Sequence, residues 1–258
     1  MSAAALPPPP WPGADERWAL FVDVDGTLLD FAPRPDLVHL PSATRGLLAR
    51  LHAALDGALA VLSGRDLPDL DHLLAPLQLP VGAMHGLTRR DADGIVVAPA
   101  VPAEVAAAVE QDCATVAREL PGVRLENKSH RAFALHYRGA ETQADAVHAR
   151  AAAIAERFAT HYLLQPGSCV AELKPAGGDK GDALVAFGLT KRFSGRRPVA
   201  IGDDLTDEAA FAAAARGGGF GIIVGPRRPT EARYALATPA ALHAWLDDLL
   251  RRLPGGAR

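Results

Sequence analysis

The sequence predicts an α/β protein: an open parallel sheet whose chain is interrupted by an α+β insert. Three observations predict it. Short apolar runs, Trp18 to Val22, Leu59 to Leu62 and Pro198 to Gly202, each stop at a polar residue and each precede a segment with helical spacing. That is how parallel strands buried on both faces read. Between about 100 and 175 the order changes to helix, hairpin, helix, hairpin, which suits a layer packed on one face of a small antiparallel sheet. After Gly177 the strand–helix alternation resumes.

In chain order, residues 1–16 carry Pro7 to Pro10 in a row, which forms neither helix nor ladder, so a mobile tail is expected there. The strand ending at Asp23 follows. Phe31 to Pro41 is a Pro-punctuated loop, and Ser42 is placed to cap a helix through about Leu55. The second strand ends at Ser63-Gly64-Arg65, before a helix from Leu67 to Leu74. Pro80 to Gly86 reads as a third strand and its exit, and Asp93-Gly94 turns the chain into Ile95 to Ala98. The insert opens with an Ala-rich helix, about 103–120. In its first hairpin Phe133, Leu135 and Tyr137 alternate with Ala134, His136 and Arg138, as in a sheet with one exposed face. A second helix, about 142–159, and the strands Tyr162 to Gln165 and Cys169 to Leu173 close it. The core returns with a helix from Lys180, the strand ending at Asp203-Asp204, a helix from Asp207, the strand Phe220 to Val224 and a last helix, about 239–253. The expected organisation is therefore a tail at 1–16, a core at 17–99 and 176–258, and an insert at 100–175.

The 258 residues suffice for two domains, and 49% apolar with 22% charged residues is an ordinary globular balance. A net charge of −3 gives no basis for a nucleic-acid or anionic-membrane partner. Cys113 and Cys169 match neither a disulfide framework nor a metal spacing, and the N-terminus lacks the basic flank and apolar stretch of a signal peptide. A cytoplasmic location is expected, and nothing in the pattern fixes an oligomeric state.

The chemistry concentrates at strand ends. Asp23 and Asp25, two apart on an extended chain, face one site, and two carboxylates so placed are costly unless a cation or a reaction needs them. Open α/β sheets bind ligands outside the carboxyl ends of their strands. Ser63, Lys180 and Asp203-Asp204-x-x-Asp207 lie at comparable positions. Together these supply a carboxylate nucleophile, a hydroxyl, an ammonium and further carboxylates, the parts phosphoryl transfer requires. An all-oxygen set suits Mg²⁺ better than zinc. Each piece also has a plainer reading. Ser63 has the chemistry of a helix cap, Lys180 that of a solvated lysine, and Thr206, Asp207 and Glu208 suit a helix N-terminus. Capping does not explain two adjacent carboxylates directly after an apolar strand.

The arrangement resembles the haloacid dehalogenase-like (HAD) phosphatases, whose fold is a Rossmann-like parallel-sheet core with an inserted α+β cap domain. That resemblance implies Asp23 as nucleophile and Asp25 as general acid and then base, lending its carbonyl to Mg²⁺. It implies Ser63 and Lys180 on the phosphoryl oxygens, and Asp203 on the metal with Asp204 or Asp207 in support. Glu126-x-Lys128, Ala134 to Arg138, Val170 to Pro175, Met84-His85-Gly86 and Gly202 to Phe211 look like the corresponding runs of trehalose-6-phosphate phosphatases, over about Trp18 to Val224. Thr88 departs from the acidic residue often found there. This second resemblance implies a sugar-phosphate substrate, with Glu126, Lys128, Glu172, Lys174, Arg65 and His85 as sugar contacts, and hydrolysis of trehalose 6-phosphate. Carboxylates accept from sugar hydroxyls while Lys and Arg donate to sugar oxygens. On their own the insert residues read equally as a solvated strand face with cross-strand ion pairs. His136 is expected to be structural. Sucrose 6-phosphate, mannosyl-3-phosphoglycerate, a phosphomutase and a non-catalytic sugar-phosphate-binding regulator stay open as alternatives, though a regulator would be expected to have lost Asp23 or Asp25.

Overall fold

In the computed structural model β1 (Trp18–Val22) is buried along its whole length. It lies between β10 (Arg197–Gly202) and β2 (Leu59–Leu62), parallel to both. The structure describes residues 6–30, 39–98, 101–128, 130–227 and 229–253. By its contacts the chain forms two units, Met1–Val97 with Gly178–Arg258, and Ala98–Gly177.

The sheet of the first unit continues outward from β10 with β11 (Phe220–Val224) and β12 (Tyr234–Leu236). From β2 it continues with β3 (Val81–Ala83), β4 (Thr88–Arg90) and β5 (Val96–Val97), giving the order β12-β11-β10-β1-β2-β3-β4-β5. Only the β3–β4 and β4–β5 pairs are antiparallel. Alternate residues of β1 reach opposite layers. Trp18 stacks on Trp245 of α7 (Pro239–Arg252), and Phe21 packs on Phe187 of α5 (Lys180–Gly188). α1 (Ser42–Ala54) lies beside α7, and α6 (Glu208–Arg216) lies beside α5. Sheet order reverses between β1 and β10, the switch point at which such sheets open a crevice.

Several local expectations are corrected. Ser42 is the first helical residue of α1, whose N-cap is Pro41 with no side-chain cap. The cap of α2 (Leu67–Leu74) is Asp66, whose Oδ1 accepts from the Asp69 N–H at 2.9 Å, so Ser63 is spared that role. β4 and β12 are three-residue strands with no apolar run long enough to announce them. Most of the Phe31–Pro41 loop, residues 31–38, lies outside the described residues.

The expected tail is also docked from Leu6 onward, residues 1–5 lying outside the described set. The Ala235 N–H donates to the Pro7 carbonyl at 3.0 Å, and Trp11 stacks on Trp245 with ring centroids 5.8 Å apart. The Arg252 guanidinium lies 4.4 Å over the Trp11 ring. Proline removes donors but leaves carbonyl acceptors, and an indole buries enough apolar surface to anchor a short segment.

The second unit is a four-stranded antiparallel sheet, β6 (Arg124–Lys128), β7 (Ala132–His136), β9 (Val170–Pro175) and β8 (Tyr162–Gly167) in that order. It packs against α3 (Ala103–Glu119) and α4 (Ala144–Arg157). Phe133, Leu135, Tyr137, Ala171 and Leu173 join Val109, Cys113, Val147 and Ile154 in one apolar core. The opposite face is less open than the alternation suggested: Ala132, Ala134, Glu172 and Lys174 are buried as well.

Candidate active site

β1 ends where its backbone is still held by β10: the Asp23 N–H donates to the Ile201 carbonyl at 2.9 Å. The Asp23 carboxylate therefore leaves the sheet at a fixed point. Its partner is Lys180, whose Nζ donates to Asp23 Oδ1 and Asp207 Oδ1, both at 2.6 Å. Lys180 and Asp207 are each only 2% exposed and Asp23 6%. A lysine at the first position of a helix opposes the helix dipole, and here two buried carboxylates supply the reason for it. Its ammonium has three hydrogens, two committed to these carboxylates.

Asp207 is in turn fixed by backbone. Its Oδ2 accepts from the Asp203 and Asp204 N–H groups at 3.0 and 3.1 Å. Gly202 permits this seat, because a Cβ there would fall on the Asp207 carboxyl carbon. Asp203 Oδ1 accepts from Thr27 Oγ1 at 2.8 Å, tying the end of β10 to the turn after β1. Carboxylate oxygens of Asp23, Asp203 and Asp207 lie within 4.8 Å of one another.

Three carboxylates against one ammonium leave the cluster with excess negative charge. Burial pushes the Asp23 carboxyl well above the ordinary carboxylate range; Lys180 pulls it back, while Asp207 and Asp203 push it further up. Burial, with Asp207 and Asp204 adding to it and Thr27 and Lys180 opposing, raises Asp203 to about 6. For Lys180 burial favours the neutral amine, but Asp207 and Asp23 outweigh it, and its pKa rises above the usual lysine value. The donors are all hard oxygens carrying surplus charge, so the group fits a divalent cation such as Mg²⁺.

The remaining expected core residues fall around this cluster. The Ser63 N–H continues β2 by donating to the Gly82 carbonyl at 2.9 Å, and Ser63 Oγ accepts from the Arg65 N–H at 3.2 Å. The hydroxyl hydrogen of Ser63 is thus not used in that bond. Arg65 was expected on a sugar. Instead its guanidinium grips Asp25 bidentately, Nε to Oδ2 and Nη2 to Oδ1, both at 2.7 Å. Met84 and His85, both at left-handed φ (48° and 58°), donate their N–H groups to the Arg65 and Ser63 carbonyls at 2.8 Å. Left-handed backbone at non-glycine residues is costly, and here two such residues in succession pin the Ser63–Arg65 loop.

Asp204 departs from the expected metal set. It is exposed, and its Oδ1 accepts from the Leu205 N–H as a cap, outside the carboxylate group. Capping fits both residues: Asp204 is the N-cap, and Asp207 Oδ2 returns the bond to the Asp204 N–H while its other oxygen holds Lys180. Asp25's carboxylate is likewise outside the group and on Arg65. Sequence reasoning missed Thr27, whose signal was the hydroxyl closing the Asp-x-Asp-Gly-Thr turn, and the Arg65–Asp25 pair, which left none.

Within the second unit the strand register puts Glu126, Ala134, Glu172 and Gln165 in one row across the sheet. Lys128 Nζ donates to Glu172 Oε2 at 3.1 Å, and His136 Nε2 lies 2.6 Å from Glu126 Oε2. That bond to His136 first, then the nearby Lys128 charge, holds the Glu126 carboxyl below its usual range against burial. Lys174, two residues beyond Glu172 and so on the same face, pairs in register with Leu163.

A sequence profile of the trehalose-phosphatase family matches residues 21–240. The trehalose-6-phosphate phosphatase of Escherichia coli is 40% identical over 242 residues, 94% of this chain and 90% of that protein. The C-terminal domain of the Candida albicans trehalose-6-phosphate phosphatase superposes with a TM-score of 0.78 at 20% identity, covering 91% of this chain and 93% of that one. A phosphatase of the haloalkanoate (HAD) enzyme superfamily from Bacteroides thetaiotaomicron gives a TM-score of 0.60 at 20% identity, covering 93% of this chain and 96% of that one. The fold is that of the HAD phosphatases, and the chain belongs to the trehalose-phosphatase family.

Proposed function

We propose that this protein hydrolyses trehalose 6-phosphate to trehalose and phosphate through an aspartyl-phosphate, with Mg²⁺ as cofactor. The observation that carries the reading is the buried Asp23–Lys180–Asp207 constellation at the switch point of the sheet. An Asp23 carboxylate oxygen attacks phosphorus as the bond from phosphorus to the sugar oxygen breaks, and Asp25 gives that oxygen its proton. Asp25 then takes a proton from the water that attacks the aspartyl-phosphate, and Asp23 and inorganic phosphate are released. In the resting pair Arg65 binds both Asp25 carboxylate oxygens, and each oxygen keeps a second lone pair for the proton. The third Lys180 hydrogen and the Ser63 hydroxyl donate to the phosphoryl oxygens. Asp23, Asp203 and Asp207, with the Asp25 carbonyl, would hold Mg²⁺, which would supply charge neutralisation on the phosphoryl group.

Ala98–Gly177 is read as the cap, and Glu126, Lys128 and Glu172, with smaller parts for Lys174 and His85, as contacts of the non-reacting sugar. The free cysteines Cys113 and Cys169 suit the cytoplasm. Among the described residues no helix is long and apolar enough to cross a membrane. The test is phosphate release from a panel of sugar phosphates in Mg²⁺ or EDTA. Trehalose 6-phosphate is expected to be turned over best, and EDTA to stop the reaction. Equal turnover of sucrose 6-phosphate, or activity indifferent to EDTA, would contradict the reading.

A further inference from the structure

The same strand and helix that carry Asp23 and Lys180 also wall a cavity that the phosphatase chemistry does not use. Ala19 and Phe21 lie on the face of β1 that continues to Asp23, and Leu184 and Gly188 continue the Lys180 stripe of α5 at four-residue spacing. These residues, with Phe193 and others, line a cavity of about 310 Å³ at the end of the sheet away from the carboxylates. Ala19, Phe21, Leu184 and Phe193 are buried, so the floor is apolar. A sugar phosphate would leave its polar groups unpaired there, so the substrate is not the occupant. Arg216 lines the cavity from the C-terminal end of α6. It is exposed, and its side chain has no hydrogen bond or ion pair among the described residues. The volume is at the lower end of small-molecule pockets, and an apolar bed with one cation in its lining narrows the chemistry of a ligand.

We propose that this cavity binds a small amphipathic monocarboxylate, its apolar body on Phe21 and Phe193 and its carboxylate on Arg216, and that occupancy alters turnover through β1 and α5. The probe is octanoate, titrated calorimetrically into the full chain, with octan-1-ol as the uncharged control. Gly188 lines the cavity and a Cβ there meets nothing within 4 Å, so Gly188→Leu adds an isobutyl group at the wall without a clash. Octanoate is expected to bind wild type and to lose at least about tenfold in affinity in Gly188→Leu, because the apolar bed is then occupied. Arg216→Gln, a change at an exposed site, should weaken octanoate about tenfold, by loss of a charge-assisted bond, and leave octanol nearly unchanged. Octanoate binding that is equal in wild type and Gly188→Leu overturns the site, and Arg216→Gln weakening both probes alike overturns the carboxylate preference. Saturating octanoate should change kcat on p-nitrophenyl phosphate at least about twofold in wild type and not in Gly188→Leu. This arm rests on the phosphatase reading, which wild-type turnover without octanoate checks separately. An unchanged wild-type kcat overturns the coupling.

Discussion

In the first unit the buried ionic cluster is anchored to backbone at Asp23 and Asp207, whereas in the second the charged groups are held by one another. Asp23 leaves a hydrogen-bonded strand end, Asp207 is gripped by two N–H groups, and Lys180 is fixed between them. Glu126 with His136 and Lys128 with Glu172 are side-chain pairs laid across strands. Backbone-held groups are preorganised, which suits charge stabilisation at a reacting centre. Side-chain pairs can exchange partners, which suits hydroxyl recognition. The difference fits the proposed division, chemistry in the first unit and selectivity in the second, and the predictions test it.

The largest effect is expected at the nucleophile. Asp23→Asn should lower kcat by about 10⁴-fold or more on every substrate, because an amide forms no aspartyl-phosphate, while the circular dichroism stays native. Turnover within tenfold of wild type would remove Asp23 from that role.

Next is Lys180→Met. In metal-free protein it leaves two buried carboxylates facing each other, and removing one member of a buried ionic cluster costs about 3–5 kcal/mol. All three tryptophans, Trp11, Trp18 and Trp245, stack in the first unit, so their fluorescence reports its unfolding. The fluorescence midpoint in denaturant should fall accordingly. An unchanged midpoint would mean that the ammonium does not hold the site together.

A smaller effect follows from the raised carboxyls. Asp203 titrates near 6 in the folded chain, above its unfolded value, and Asp23 is shifted the same way. Their stabilising contribution is complete below the unfolded carboxyl pKa, about 3.9, and is lost as pH rises through about 6. Chelator-treated protein should therefore lose Tm between pH 5 and pH 7.5 at these groups, and Mg²⁺ should restore most of it. The same carboxylates must be deprotonated to hold the cation, so its affinity should rise over that window. Parallel Tm profiles with and without Mg²⁺ would contradict the cluster's assignment.

The same division explains what the sequence reveals. Asp23, Ser63 and Asp203 are legible because each follows an apolar run whose shortness and flanking residues mark a buried strand, and the sheet brings such ends together. Lys180 is legible because its charge is wrong for a helix start. Asp204 and Asp207 stay undivided in the sequence because capping and burial demand the same residue type, and only the Gly202 seat separates them. The Arg65–Asp25 pair joins two loops 40 residues apart and has no local signature. Trp11 was hidden by its proline neighbours, which argue against regular structure and say nothing of docking. In the second unit the row Glu126, Glu172 and Gln165 comes from three strands, so no single stretch displays it, and only family resemblance pointed there.

The division itself is tested most directly by comparing two substrates in the second unit's variants. Glu126→Ala, Lys128→Ala and Glu172→Ala should each lower kcat/KM for trehalose 6-phosphate by roughly ten- to a hundredfold, about 1–3 kcal/mol per polar contact removed. The same variants should hydrolyse p-nitrophenyl phosphate, which offers no second sugar to bind, within about twofold of wild type. Equal losses on both substrates would place these residues in support of the fold or the chemistry, and no loss on either would return them to a solvated strand face.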